Sequence, residues 1–440
     1  MMQMPGNAEP EIDRRMTKPN RRVGRVRWWI AWTLFFSTTT NYISRQTFSV
    51  LAPVLVSQFH LSSVEFSRIA AAFQFSYAIT WLAGGVVLDI IGTRLGLAIA
   101  VVFWSLVNIA TAFANSTFAL LSSRFLLGIG EGFNWPGASK AVAEWFPREE
   151  RSLAVAIFDS GGAIGGGVAA LALPLIAYRY GWRAAFAASG LLGFVWLAVW
   201  LRIYHPLDRH PRITPEEKQF IEAGKDAANS PGERGAKRWM ELARNRNVWG
   251  IVLGRSLTDP IWWFYITWLP KYLADARGFS LKGIAFFFWM PFIAADIGNF
   301  TGGWLSSLCV RRGIPPARAR VLVCIASSVP ILAGIPAAGV HSAYLALALI
   351  SLAVWGYASW STMGLTLPSD LFAHDVVATV TGFSGLAAGL AGTVFTLAVG
   401  AIVDRFSYAP AFLAAGLLPL LATACVVLLI REPRRDTAAE

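Results

Sequence analysis

Apolar stretches of about 20 residues recur along almost the whole chain, beginning near Trp28 and separated by short polar breaks. A helix rises about 1.5 Å per residue, so a stretch of this length covers the roughly 30 Å of hydrocarbon in a bilayer. The pattern predicts about twelve helical spans, at 28–54, 66–90, 94–114, 117–140, 151–177, 182–204, 247–273, 281–308, 319–340, 342–367, 375–402 and 408–430. One break stands apart. Residues 205–246 are charged and punctuated by Pro and Gly, with six spans on either side. The expectation is an all-α membrane protein: a tail over 1–27, a six-helix bundle over 28–204, a linker over 205–246, a second bundle over 247–431 and a tail over 432–440. In the linker, "TPEEKQFIEAG" predicts a short helix, with Thr214 and Glu217 forming a capping box.

Composition agrees with this reading: of 440 residues 55% are hydrophobic and 15% charged. The net charge of +12 does not point to nucleic acid, because the basic residues form no face with interleaved aromatics. They collect in alternate loops: Arg14, Arg15, Lys18, Arg21, Arg22, Arg25 and Arg27 before the first span, Lys218, Lys225, Lys237, Arg238, Arg244 and Arg246 in the linker, and Arg311, Arg312, Arg318 and Arg320 after the eighth span. Positive charge favours the cytoplasmic side, so both termini and the linker are expected there, as an even number of spans requires. The first apolar run is too long for a signal peptide's core, with no convincing cleavage site after it, and reads as a retained span. Cys309, Cys324 and Cys425 have no paired spacing, which supports neither a disulfide framework nor a zinc site.

The two halves echo each other. "GGVVLDIIGTRLG" follows the second span and "GGWLSSLCVRRG" the eighth, each a Gly pair and a short stretch before a basic turn. Repeats of this kind suggest a transporter with its substrate site near the midplane. "GVVLDIIGTR" resembles the loop signature of the major facilitator superfamily at Gly85, Asp89, Gly92 and Arg94, while the second copy has Ser307 where the signature has Asp. The resemblance implies a two-bundle fold and a gating role for Asp89 and Arg94. Six strings in order, "NYISR", "RFLLGIGEG", "EWFPREERSLAVAIF", "RSLTDPIWWFYITWLPKYL", "PFIAADIGNFTGGWLS" and "TLPSDLF", resemble the anion:cation symporter family, above all its bacterial hexuronate branch.

An arginine inside a span is costly and asks for a partner or a wet cavity. Arg45 either snorkels to an interface or clamps a substrate carboxylate, for which guanidinium offers a planar donor fork. The resemblance favours the clamp, and implies that Tyr42 and Tyr77 line the same pocket. Arg124 and Glu131 are seven residues apart, which returns to within about 20° of the same helix face. They read either as a static pair, or as an anion-binding arginine with a proton-carrying glutamate; low dielectric favours the protonated acid and a neighbouring arginine opposes it. In the family the proton-coupling glutamate matches Glu131. Some relatives carry Asp just before the first-span arginine; this chain has Ser44, which argues against a second proton there. Asp159 is either a replacement proton carrier or a hydrogen-bonding group within the bundle.

Arg255 and Asp259, four apart, are expected to pair with each other, and Pro260 to kink their helix. Trp262, Trp263, Phe264 and Tyr265 read mostly as packing. Asp296, Asn299, Trp360 and Thr362 are second-half candidates for substrate hydroxyls, and "GGAIGGG" and "GLAAGLAG" suit close helix contact. The expected protein is a monomeric bacterial inner-membrane symporter of a small organic anion, using protons and no cofactor, metal or nucleic acid. Galacturonate or glucuronate is favoured, with an aldonate, aldarate or aromatic carboxylate as the alternative. An enzyme is disfavoured, because His60, His205, His210, His341 and His374 mostly lie at span ends or in loops. A sensor is disfavoured, because the linker is too small for an output domain.

Overall fold

The computed structural model describes residues 24–223, 242, 244–372 and 374–432. Arg14, Arg15, Lys18, Arg21, Arg22, Lys225, Lys237 and Arg238 lie outside the described residues. Each predicted span is helical. Eight are continuous: the second (Ser63–Ile91), third (Thr93–Thr111), fifth (Arg148–Tyr180), sixth (Trp182–Ile203), seventh (Arg246–Asp275), tenth (Ala343–Leu371), eleventh (His374–Arg405) and twelfth (Ala409–Leu429). Four are broken: the first into Val26–Val50 and Ala52–Phe59, the fourth into Thr117–Glu131 and Asn134–Trp145, the eighth into Leu281–Phe287 and Met290–Arg311, and the ninth into Pro316–Ile331 and Gly334–Ala337. A proline opens the piece after each break, at Pro53, Pro136, Pro291 and Pro336, where its missing N–H and fixed φ suit a helix start rather than a helix interior.

Among the described residues nine spans are long and apolar enough to cross a membrane on length and composition alone. The other three are the first, fourth and seventh. They carry Arg45, the Arg124 and Glu131 set, and the Arg255 and Asp259 pair.

Packing repeats between the halves. The first span packs on the fifth, the second on the fourth and the third on the sixth, and correspondingly the seventh on the eleventh, the eighth on the tenth and the ninth on the twelfth. The halves meet where the second span lies against the eleventh and the fifth against the eighth. Glycines allow the closest approaches. A Cβ on Gly165 would stand 2.5 Å from the Thr39 carbonyl oxygen across the first and fifth spans, whereas one on Gly167 would meet nothing within 4 Å.

With twelve spans, the start of the first at Val26 and the end of the twelfth at Leu429 lie at one face of the bundle, the terminal face. At the opposite face the halves are joined directly. The Asp404 carboxylate accepts hydrogen bonds from the Ser63 and Val64 backbone N–H groups, each at 2.8 Å, and so caps the second span from the eleventh. Beside it Lys271 reaches Asp275 at 2.5 Å and Ser63 Oγ at 3.4 Å, and Phe66 packs edge-on against Trp268.

At the terminal face, the linker helix Pro215–Ala223 departs from its expected cap. Thr214 Oγ1 accepts from the Glu217 N–H at 3.2 Å, but the Glu217 carboxylate does not close the box. Fully buried, it accepts instead from the Val26 and Arg27 N–H groups, each at 3.2 Å, and from Arg27 Nη1 at 3.0 Å. The unpaired amides at the first span's start are the stronger draw, because they add their dipole to the arginine's charge. Arg27 also binds Glu150 at 2.6 Å and Ile221 is fully buried in the first-half core, so the helix is docked under the first and fifth spans.

Placing a branched side chain at the 2.5 Å contact should force the first and fifth spans apart. Gly165→Val is expected to cost about 1–3 kcal/mol and to lower the melting temperature in detergent, while Gly167→Ala leaves it unchanged. Equal melting temperatures for the two variants would refute this account of the packing.

Candidate functional site

The first span turns Trp29, Trp32 and Phe36 outward in its first half and is then buried on all sides from Thr38 to Arg45, with Tyr42 half-buried, so its polar residues there lie inside the bundle. Arg45 is buried, and its guanidinium sits in an aromatic cage. The ring centroids of Tyr77, Tyr42, Phe73 and Trp263 lie 4.4, 4.8, 5.4 and 5.7 Å from its central carbon. In a desolvated site a single such cation–π contact is worth about 2 kcal/mol. Trp263 comes from the seventh span, so the cage joins the two halves.

The charge is answered by Glu131. Arg45 Nε donates to Glu131 Oε2 at 3.2 Å and Nη2 donates to Asn41 Oδ1 at 3.0 Å. Glu131 is fully buried, and its second oxygen, Oε1, has no hydrogen-bond partner among the described residues. Here the structure corrects the sequence reading: the helical spacing put Arg124 beside Glu131, but the ion pair is made across spans with Arg45. Arg124 is turned toward the rings of Phe73 and Phe48, at 4.3 and 5.0 Å, and donates to the Arg45 carbonyl oxygen at 3.4 Å. Spacing fixes a face but not a rotamer, and the rings offered Arg124 a better surface.

Next to this cage is a cavity of about 350 Å³, lined by Tyr42, Asp159, Trp262, Asn299, Tyr357, Thr362 and their neighbours. Tyr42 belongs to both. Leu365 and Thr366, also in the lining, stand five or six residues before the end of the tenth span, so the cavity reaches to within roughly 10 Å of the terminal face along that helix. Asp159 is exposed to this space, and among the described residues it makes no hydrogen bond, which removes the hydrogen-bonding role within the bundle left open for it. Thr362 Oγ1 bonds Asn299 Oδ1 at 2.9 Å on the cavity wall, and Trp262 stacks on Tyr357 at 5.9 Å with 7° between planes. Trp262 and Trp263 are therefore site residues rather than packing. Phe264 and Tyr265 are buried in the second-half core, as packing requires.

Trp360 does not reach the cavity. It is fully buried and donates from Nε1 to Thr423 on the twelfth span at 2.9 Å, because an indole N–H inside a bundle needs an acceptor and Thr423 supplies one. Arg255 and Asp259 are paired at 2.9 Å, with Arg255 Nη1 also donating to Ser384 at 3.0 Å. Asp89 and Arg94 are not joined to each other. Asp89 pairs with Lys140, which ties the second span to the fourth, and Arg94 donates to the Leu201 carbonyl at 2.6 Å, which ties the third to the sixth. In the second half an ion pair near the same face joins Arg320 of the ninth span to Asp370 of the tenth, at 3.0 Å. Lys140 was missed because a lone lysine at a span end carries no spacing signal. Asn41 was legible, one turn before Arg45, but passed over. Among the described residues no group of three or more His, Cys, Asp or Glu side chains is placed to hold a metal.

A profile of the Major Facilitator Superfamily matches residues 34–396. The chain is 34% identical over 427 residues to the hexuronate transporter of Escherichia coli K12, covering 96% of this chain and 98% of that one. It is 27% identical over 429 residues to a probable galactarate/D-glucarate transporter of the same strain, covering 93% and 96%. Among solved structures, a bacterial homologue of the human lysosomal transporter Spinster, inward-facing and occupied, superposes with a TM-score of 0.69 at 17% identity, covering 92% of this chain and 96% of that chain.

Two ion pairs of opposite setting give a direct comparison. Glu131→Ala strands a buried arginine and is expected to cost about 3–5 kcal/mol, whereas Asp89→Ala breaks an exposed pair worth about 0–1 kcal/mol. Thermal unfolding in detergent should show a large drop for the first variant and almost none for the second; similar drops would mean that the Arg45 pair is not the buried anchor described here.

Proposed function

Because the chain belongs to the Major Facilitator Superfamily, a family of transporters and not of enzymes, we propose that it is a symporter carrying protons with a hexuronate such as galacturonate or glucuronate, by alternating access. The observation that carries this reading is the state of Glu131: one oxygen holds Arg45 Nε and the other is buried without a partner. A proton on that oxygen removes the charge that burial makes costly and cancels the charge that occupies Arg45. The guanidinium fork is then free for a substrate carboxylate, so loading the proton favours loading the anion. Deprotonation returns Arg45 to Glu131 and expels the anion.

Tyr42 and Tyr77 brace the fork, and Arg124 supports Arg45 from the side away from the cavity. Thr362, held by Asn299, faces the sugar hydroxyls, and Asp159 passes protons between the cavity water and the Glu131 region. Bundles over 28–204 and 247–431 rock against each other, with the linker and both tails in the cytoplasm of a bacterial inner-membrane protein. The Asp404 and Lys271 contacts then seal the outer side and the cavity lies toward the cytoplasm. Asp89 and Arg94 act in gating by holding the first half together as it moves. The protein works as a monomer. The hexuronate assignment is supported by the 34% identical relative, and an aldonate, aldarate or aromatic acid is the alternative.

Purified protein in liposomes should take up labelled galacturonate or glucuronate, faster when an inward proton gradient is imposed. Arg45→Ala is expected to reduce uptake by about 30-fold or more, and Glu131→Gln to retain anion exchange while losing the response to the gradient. Uptake of only an aldonate, aldarate or aromatic acid by folded protein would reject the hexuronate, and gradient-driven uptake by Glu131→Gln would reject the coupling role.

A further inference from the structure

Near the cavity the charges do not balance. The arginines of this region are Arg45, Arg124 and Arg255, and the carboxylates are Glu131, Asp259, Asp159 and Asp296. Glu131 answers Arg45 and Asp259 answers Arg255. The guanidinium of Arg124 is turned away among phenylalanine rings. Asp159 and Asp296 have no ion pair or hydrogen bond among the described residues.

These two carboxylates lie on spans that meet across the halves. Asp159 lies on the fifth span and Asp296 on the eighth, the two spans that meet at Gly166 and Phe292; a Cβ on Gly166 would stand 2.3 Å from the Phe292 ring. Both acids are on the terminal-face side of that contact, Asp159 two turns before Gly166 and Asp296 one turn beyond Phe292. They are close enough for the charge of Asp159 to act on Asp296. Asp159 lines the cavity with Tyr42, Tyr357, Ser361, Thr362 and Asn299, and no arginine or lysine is in the lining.

We propose that Asp159 and Asp296 form a charge filter, admitting sugar acids with one carboxylate and rejecting dicarboxylates of the same carbon skeleton. This deepens the function proposed above and rests on it. An anion that gives its single carboxylate to Arg45 presents hydroxyls to the rest of the cavity, where carboxylates and the Thr362 and Asn299 wall accept or exchange hydrogen bonds with them. A dicarboxylate brings a second negative charge toward Asp159 in the cavity wall, with Asp296 next to the lining residue Ala295 and no cation in the lining, and discrimination of this kind works by repulsion as much as by fit.

The test is equilibrium binding by calorimetry on the full-length protein, with galacturonate and galactarate as probes and wild type, Asp159→Asn, Asp296→Asn and the double variant as samples. Wild type is expected to bind galacturonate about tenfold or more tighter than galactarate, and the double variant to narrow that ratio by about tenfold, since each tenfold corresponds to about 1.4 kcal/mol. Asp159→Glu, which keeps the charge, should keep the ratio. Equal affinities in wild type, or an unchanged ratio in a double variant with wild-type melting behaviour, overturns the filter. If wild type binds neither galacturonate nor glucuronate, the substrate proposal fails and the same ratio is measured with gluconate and glucarate. A one-charge preference that the asparagine variants relax then upholds the filter, and its absence rejects it. If the double variant melts early, the two single variants decide by the same ratio.

Discussion

An arginine buried in a helix bundle must be answered by a negative charge, and Glu131 answers Arg45 across two spans at 3.2 Å. Much of the interior follows from that requirement. Aromatic rings from the first, second and seventh spans exclude water from the guanidinium. The spans that supply the charges, the first and fourth, are not among the nine described spans long and apolar enough to cross a membrane on length and composition alone. The polarity that weakens them as spans is the polarity that makes the site. Because Trp263 of the seventh span closes the cage, anything that displaces the second half changes the surroundings of Arg45.

The halves share a packing plan but divide the chemistry. Corresponding helices pair in each, and each half has an ion pair near its terminal face, Asp89 with Lys140 and Arg320 with Asp370. In the first half Arg45 lies in an aromatic cage and Asp159 on the cavity wall. The second half contributes a wall of hydroxyl, amide and ring groups, with its own arginine already neutralised by Asp259. A charged group and a polyhydroxy chain would thus be met by different halves.

The number and order of spans were legible because a bilayer imposes a minimum apolar length that few other contexts require. Arg45 was legible as a singular charge, and the Arg255 and Asp259 pair as an i,i+4 spacing. Partnerships between spans were not. The shared helix face left a static Glu131–Arg124 pair open, whereas the partner that Glu131 takes is 86 residues away in the chain. Glu217 fits a capping box by spacing, yet its carboxylate caps another helix 190 residues earlier. Trp360 was named for its type, but the rotation of the tenth span turns it toward Thr423. Local periodicity sets which way a side chain points, and tertiary packing decides what it meets.

The seal at the face away from the termini has a particular economy of parts. Asp404 grips the amides of residues 63 and 64, so one partner in the contact is the peptide chain itself. Side chains at these two positions can drift, proline excepted, without removing the donors. The acid has no such latitude. This part of the closure is therefore encoded one-sidedly, at Asp404, whereas the Lys271–Ser63 and Phe66–Trp268 contacts beside it constrain side chains of both halves.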